Sequence, residues 1–244
     1  MKRLRQALRF VSRVLLFWPA TLTIWLGRAI LEVGDTAVGR LTIRPVGRII
    51  ARWVLYARSV PMVRPQSQDV IPPSMVLDLL AEQKEIAVMP CPCRATARAC
   101  RHPLHTPHES ETCLSFGVTA ILQRMSGLAR KVTADEARRI CDAATASGMV
   151  HHAILSLGMF VEMCNCCPAS CTVFAAHRRG VKEAVRPSGL KSVRSEACDG
   201  CKGRPARLCV EICAYAKGPG TGGCMGCGLC ASRCPRTAIQ MVDT

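Results

Sequence analysis

Four cysteines at positions 224, 227, 230 and 234, followed by Pro235, constrain this chain more than any other feature. The spacing C-x2-C-x2-C-x3-C puts thiols too close together to frame a packed core. It suits a tight loop wrapped around one 4Fe–4S cubane, with three thiolates reaching three irons. A structural zinc site calls for two CxxC pairs and has no use for a third cysteine or a Cys-Pro ending. Gly223, Gly226 and Gly228 let the backbone turn and bring amide N–H groups against cluster sulfurs. Upstream, Cys198, Cys201, Cys209 and Cys213 repeat the motif as C-x2-C-x7-C-x3-C, with an insertion between the second and third thiols.

The two runs together resemble the two-cluster ferredoxin family over about 50 residues, including members with an enlarged loop in one motif. The resemblance implies crossed ligation. One 4Fe–4S cluster would take Cys198, Cys201, Cys209 and Cys234; the other would take Cys224, Cys227, Cys230 and Cys213. It also implies that residues 190–194 and 238–242 are short strands of a small sheet, and that the clusters sit close enough to exchange electrons. Ala214 departs from the family, which has proline after the fourth cysteine.

Composition points the same way. The chain has 17 cysteines in 244 residues but only 4% aromatic residues, so several small units held by metal are expected rather than one large core. Cysteine spacing of metal type, with no cleavable leader legible at the N-terminus, favours thiolates in a reducing compartment over a disulfide framework. Boundaries fall at the Pro-Gln-Ser-Gln-Asp stretch of 65–69 and the Arg-Pro-Ser-Gly stretch of 186–189. The expected fold class is α+β. Residues 1–65 supply basic amphipathic helices, 66–186 a small mixed α/β cysteine-rich domain, and 187–244 the dicluster ferredoxin domain.

The middle region carries eight more thiols in two clumps. Cys91, Cys93, Cys100 and Cys113 follow a helix–strand unit at 74–89. Cys164, Cys166, Cys167 and Cys171 follow an apolar stretch at 150–163. They are candidates for one or two further clusters, with zinc as the competing ligand. Pairing the segment before Cys91 alongside the one before Cys164 would bring both clumps together. Arg94, next to the C-P-C, is placed to donate to cluster sulfur or offset its charge. This region is similar to larger ferredoxin-type proteins of anaerobic prokaryotes, through Cys91–Arg94 (C-x-C-R), Cys113–Phe116, Glu136–Ala137, Gly148–His151 and Cys164–Cys167 (C-N-C-C). The likeness spans about 74–244 and implies electron transfer, with a helix opening at Cys113–Phe116. Cys171, after Pro168-Ala169-Ser170, stands where that family has a denser cysteine run.

Thr133-Ala-Asp-Glu136 is a capping box, and Gly148 marks a helix end. Ala137, Ile140, Cys141 and Ala144 share one helical face, which makes Cys141 a core residue. A helix followed by an apolar strand also permits a winged-helix fragment, but the positive charge is not gathered there, so nucleic acid is disfavoured. His102, His105 and His108 are interrupted by Pro103 and Pro107 and read as a solvated loop, with a cluster or metal ligand as the alternative. His151 and His152 sit at a strand start and point to opposite faces. No nucleotide fingerprint, P-loop or Ser/His/Asp set is present, and no catalytic residue is assigned.

Residues 1–63 hold no cysteine and much of the net charge of +16. Leu4, Leu8, Val11, Leu15 and Trp18 recur at helical steps opposite Arg5, Arg9 and Arg13. Arg40, Arg44, Arg48 and Arg52 form a second stripe opposite Ile49, Ile50 and Trp53, with Pro45 placed to open that helix. The uncharged run 14–27 is shorter than the ~20 residues needed to span a bilayer. Helices lying on an anionic membrane surface are expected, on the cytoplasmic face. The function expected is electron transfer as a subunit serving a redox partner or membrane oxidoreductase complex, rather than a stand-alone enzyme. The alternatives are an iron–sulfur enzyme with a catalytic cluster in the middle domain and an iron–sulfur redox sensor binding nucleic acid.

Overall fold

The computed structural model describes residues 68–94, 111–125, 127–156, 159–178, 180–202, 207–215 and 218–244. The amphipathic stripes of 1–65, Cys100 and the three histidines at 102, 105 and 108 lie outside these residues.

The described part is α+β. Strand β1 (Gln68–Ile71) and helix α1 (Pro73–Ala81) lead into β2 (Ile86–Pro90). Strand β3 (Glu111–Phe116), helix α2 (Gly117–Met125), β4 (Arg130–Lys131) and α3 (Ala134–Ala146) follow. Then come β5 (Val150–Ser156), β6 (Met159–Cys166), α4 (Thr172–Arg178), a 3-10 turn (Lys182–Ala184) and β7 (Val185–Arg186). The seven strands form one sheet in the order β4-β2-β3-β6-β5-β1-β7. Only the β1–β7 pair is parallel. A second sheet pairs β8 (Leu190–Arg194) antiparallel with β9 (Ile239–Asp243), enclosing the short helices α5 (Leu208–Glu211) and α6 (Leu229–Ser232) in sequence.

Two expectations are corrected. Cys113–Phe116 does not open a helix; it is the end of β3, and α2 begins only at Gly117, whose φ of +55° suits glycine. The segment before Cys91 does not lie beside the one before Cys164, because β3 sits between β2 and β6. The inserted strand itself carries Cys113. The N-cap half of the expected capping box forms: Thr133 Oγ1 accepts from the Glu136 N–H at 3.1 Å, with Asp135 and Glu136 in the positive first turn of α3, while the Glu136 carboxylate accepts from Arg130 at 2.6 Å.

Strand alternation decides what faces what. On one face Ile86, Val88, Leu114, Phe116, Met163 and Ala153 pack against α1 and α3 through Val76, Leu80, Ala137 and Cys141. Cys141 is thus a core residue, with Sγ 3.7 Å from Met163 Sδ. The opposite face carries Cys164 and Cys166. With Val70 and Val150 it meets Val173 and Phe174 of α4, and Leu229, Tyr215 and Cys227 of the tail. The tail therefore docks on the thiol-bearing face. Gly228 (φ +69°) marks how close the approach is: a Cβ there would lie 2.9 Å from Pro72 Cβ.

Candidate metal centres

The tail brings its eight cysteines together as two groups of four. Cys198, Cys201, Cys209 and Cys234 line one pocket, with Leu208, Ala238 and Ile239 as apolar wall. Cys213, Cys224, Cys227 and Cys230 line a second, beside Ser192, Tyr215 and Leu229. Each cavity takes three cysteines from one run and the last cysteine of the other.

Backbone and side-chain donors face these sulfurs. Ala238 N–H lies 3.4 Å from Cys234 Sγ, and Ser192 Oγ lies 3.5 Å from Cys224 Sγ. Burial raises the Cys224 thiol, but the Ser192 hydroxyl, its N–H and the Gly226 N–H outweigh burial and leave it below the ordinary thiol value. Cys227 is deeper: burial pushes it up to about 12 against the Leu229 N–H. Cys201 has a φ of +61°, a turn held by its N–H donating to Asp199 Oδ1 at 2.9 Å. Asp199 in turn accepts from Arg236.

In the middle region the structure gathers six of the eight candidate thiols on one sheet face. Cys91 lies near Cys113 and Cys93; Cys113 lowers its thiol, but Cys93 and burial together outweigh that and push it up to about 11. Cys113 also contacts Cys164, and Cys93 contacts Cys171. Cys166 contacts Cys164, and its sulfur lies 3.3 Å from that of Cys171. Cys171, the thiol least anchored by motif, is a full member of the group. Cys167 is buried, and its carbonyl accepts from the Ser170 and Cys171 N–H groups. Among the described residues, no three His, Cys, Asp or Glu side chains converge where a single metal ion would sit.

Sequence reasoning passed over the residues that hold these segments in register. Asn165, between two candidate thiols, donates to the Thr112 carbonyl at 2.8 Å and accepts through Oδ1 from His151 Nδ1 at 2.6 Å. It thereby ties β6 to β3 and β5 just where Cys113, Cys164 and Cys166 sit. Arg94 is buried at 3% exposure, contacts Thr112 Oγ1, and acts on Cys91 as a nearby positive charge. His152 and Tyr215, hydrogen-bonded to each other, lie between the six thiols and the Cys227 cavity.

Comparison with protein-family models, with curated proteins and with solved structures finds no match to this chain.

Proposed function

We propose that this chain is a membrane-associated iron–sulfur electron-transfer protein, or a subunit of an oxidoreductase complex. Two 4Fe–4S clusters would sit in the tail and one or two more in the middle domain. The observation that carries the proposal is the pair of tail cavities, each lined by four cysteines with one contributed by the opposite run. Two unrelated loops have no packing reason to exchange their last cysteines. Eight thiols sorted four and four around two pockets have a ligation reason.

When bound, a 4Fe–4S cluster supplies one-electron redox chemistry at a potential set by charge, hydrogen bonds and solvent access. The residues here would do three things. The eight thiols give up protons and hold the irons. Ser192, Gly226, Leu229, Ala231 and Ala238 N–H or O–H groups point at sulfurs and favour the more negative state. Leu208, Leu229 and Ile239 keep water from the site walls.

The arginine-striped pattern of residues 1–63 supports a cytoplasmic membrane surface as the place of work. No helix among the described residues is long and apolar enough to cross a membrane.

Iron and acid-labile sulfide in the anoxically purified chain test the proposal. At least about eight of each per chain is expected, from two four-iron clusters; a zinc-loaded, colourless protein would refute it. A chain lacking residues 1–63 should keep its iron and leave the membrane fraction.

A further inference from the structure

We propose that the buried hydroxyl of Ser192 sets an order between the two tail clusters, making the one held by Cys213, Cys224, Cys227 and Cys230 the better electron acceptor of the pair. This rests on the two-cluster reading of the tail above and adds a direction to it.

Ser192 is the middle residue of β8 and is 2% exposed. Its register partner is Met241 of β9, but its carbonyl and its hydroxyl serve the loop on the other side. The carbonyl accepts from the Gly220 N–H at 2.7 Å, which fastens the glycine-rich segment leading to Cys224. The hydroxyl follows: Oγ lies 3.5 Å from Cys224 Sγ, and Ser192 lines the pocket of that site. A buried hydroxyl needs a partner, and here the partner is sulfur. A cluster-bound Cys224 is a thiolate with no proton to give, so the hydroxyl is the donor.

The direction of the effect follows from charge. Accepting an electron makes a cluster more negative, and a hydrogen bond to its sulfur stabilises that state and raises the potential. The bond counts for more in a buried site than in water.

The two pockets are lined differently. The Cys224 pocket has the hydroxyls of Ser192 and Tyr215 and no charged side chain, and the Tyr215 hydroxyl is engaged by His152. The N–H groups of Gly226 and Leu229 also face Cys224 and Cys227. Among the described residues lining the Cys201 pocket none carries a hydroxyl; its charged side chains are Asp199 and Arg236. There the Ala238 N–H lies 3.4 Å from Cys234 Sγ, but the Cys201 N–H is drawn off to Asp199 Oδ1 at 2.9 Å. The Asp199 carboxylate itself opposes added negative charge. Its partner Arg236 is 66% exposed, where water screens the offset. Hydroxyl on one side and carboxylate on the other act in the same direction.

The test uses the full-length chain, purified anoxically, with each tail signal followed by paramagnetic resonance during a redox titration. The signal altered by Cys227→Ser belongs to the Ser192 site, and the one altered by Cys201→Ser to the other. In the wild type the first should have the higher midpoint potential. Equal or reversed midpoints would overturn the order, and this measurement needs no change at Ser192.

Ser192→Ala keeps the backbone bond to Gly220 and removes only the donor. It should lower the midpoint of its own site by at least about threefold in the equilibrium constant, roughly 30 mV for one electron. The other midpoint should stay, with iron content unchanged. Ser192→Thr, which retains a hydroxyl, should restore the higher value. A Ser192→Ala variant in which neither midpoint moves, or both move equally, would overturn the role of Ser192 and leave the two clusters standing. Zinc in place of iron, or no iron at all, would instead sink the two-cluster reading itself.

Discussion

The Tyr215 hydroxyl is hydrogen-bonded to Nε2 of His152 across the seam between the tail and the large sheet. The direction of that bond follows from the other side of the ring. His152 Nδ1 lies 3.0 Å from Gln68 Oε1, an acceptor, so Nδ1 carries the proton and Nε2 accepts from tyrosine. Tyr215 stacks on Phe174 at 4.6 Å between ring centroids and lines the Cys227 cavity. Cys166 and Cys171 lie near enough to raise its phenol further, beyond the larger effect of burial. A neutral, water-excluding pair thus fills the space between two thiol sites.

His152 makes folding pH-dependent. Burial first, then the positive charges of His151 and His177, hold its imidazole down to about 3. The unfolded chain binds a proton near pH 6.5 and the folded one does not. The stabilisation is therefore complete above about pH 6.5 and lost progressively toward pH 3, at about 1.4 kcal/mol per pH unit. His151 is lowered in the same direction, also chiefly by burial. Urea denaturation at a series of pH values, with iron loading matched, should give a shallower acid slope for His152→Gln than for the wild type. Identical slopes would mean that His152 is not buried neutral.

Asn165 should matter as much as a thiol. Replacing it with leucine leaves the Thr112 carbonyl and the His151 Nδ1–H buried without their partner, each at about 1–3 kcal/mol. The loss falls on the strand ends that carry Cys113, Cys164 and Cys166. We expect Asn165→Leu to lower the denaturation midpoint and to deplete iron from the middle region while both tail signals persist. A variant with full iron and unchanged midpoint would show that the strands need no such tie.

In the tail, the gathering of Cys224, Cys227 and Cys230 was legible because these thiols are local, two residues apart in one loop, and the paired strands Leu190–Arg194 and Ile239–Asp243 flank them closely. The crossing of Cys213 and Cys234 was not legible from spacing; only the resemblance to two-cluster ferredoxins implied it. The middle region hid its architecture for a physical reason. Thr112 to Phe116 is buried on both sheet faces, so β3 has none of the polar alternation that would have marked it as a strand. Without β3, Cys113 could not be placed next to Cys164. The value of Asn165 was hidden in the same way, since Thr112 stands 53 positions upstream and His151, though nearer, meets it only through the β5–β6 register. Tyr215 offered no signal at all: its partner stands 63 positions upstream.

Docking of the tail can be probed at one glycine. Gly228 and Gly220 both have positive φ, +69° and +74°, so alanine at either costs about 1–2 kcal/mol of backbone strain. Only at Gly228 does the new methyl meet a wall, 2.9 Å from Pro72 Cβ and 3.1 Å from Pro73 Cδ, and two consecutive prolines yield little. Gly228→Ala should therefore destabilise the chain measurably more than Gly220→Ala and open the seam to limited proteolysis. Equal effects at the two positions would mean that the tail does not rest on the Pro72–Pro73 corner.

The crossed ligation proposed for the tail can be tested sharply, because sequence order and spatial order group its cysteines differently. By sequence, Cys213 belongs with Cys198, Cys201 and Cys209; in space it lines the cavity of Cys224, Cys227 and Cys230. Cys234 is displaced the other way, into the cavity of Cys198, Cys201 and Cys209. Serine at a ligand position damages the cluster it serves and spares the other. Cys213→Ser should accordingly alter the same reduced-state paramagnetic signal as Cys227→Ser, and Cys234→Ser the same signal as Cys201→Ser. Because each run closes the other's site, either fourth-cysteine variant should also lower the unfolding midpoint more than a change at the exposed Lys202. If Cys213→Ser instead shares its signal with Cys201→Ser, each run closes on itself, and the two halves of the tail are joined by packing alone.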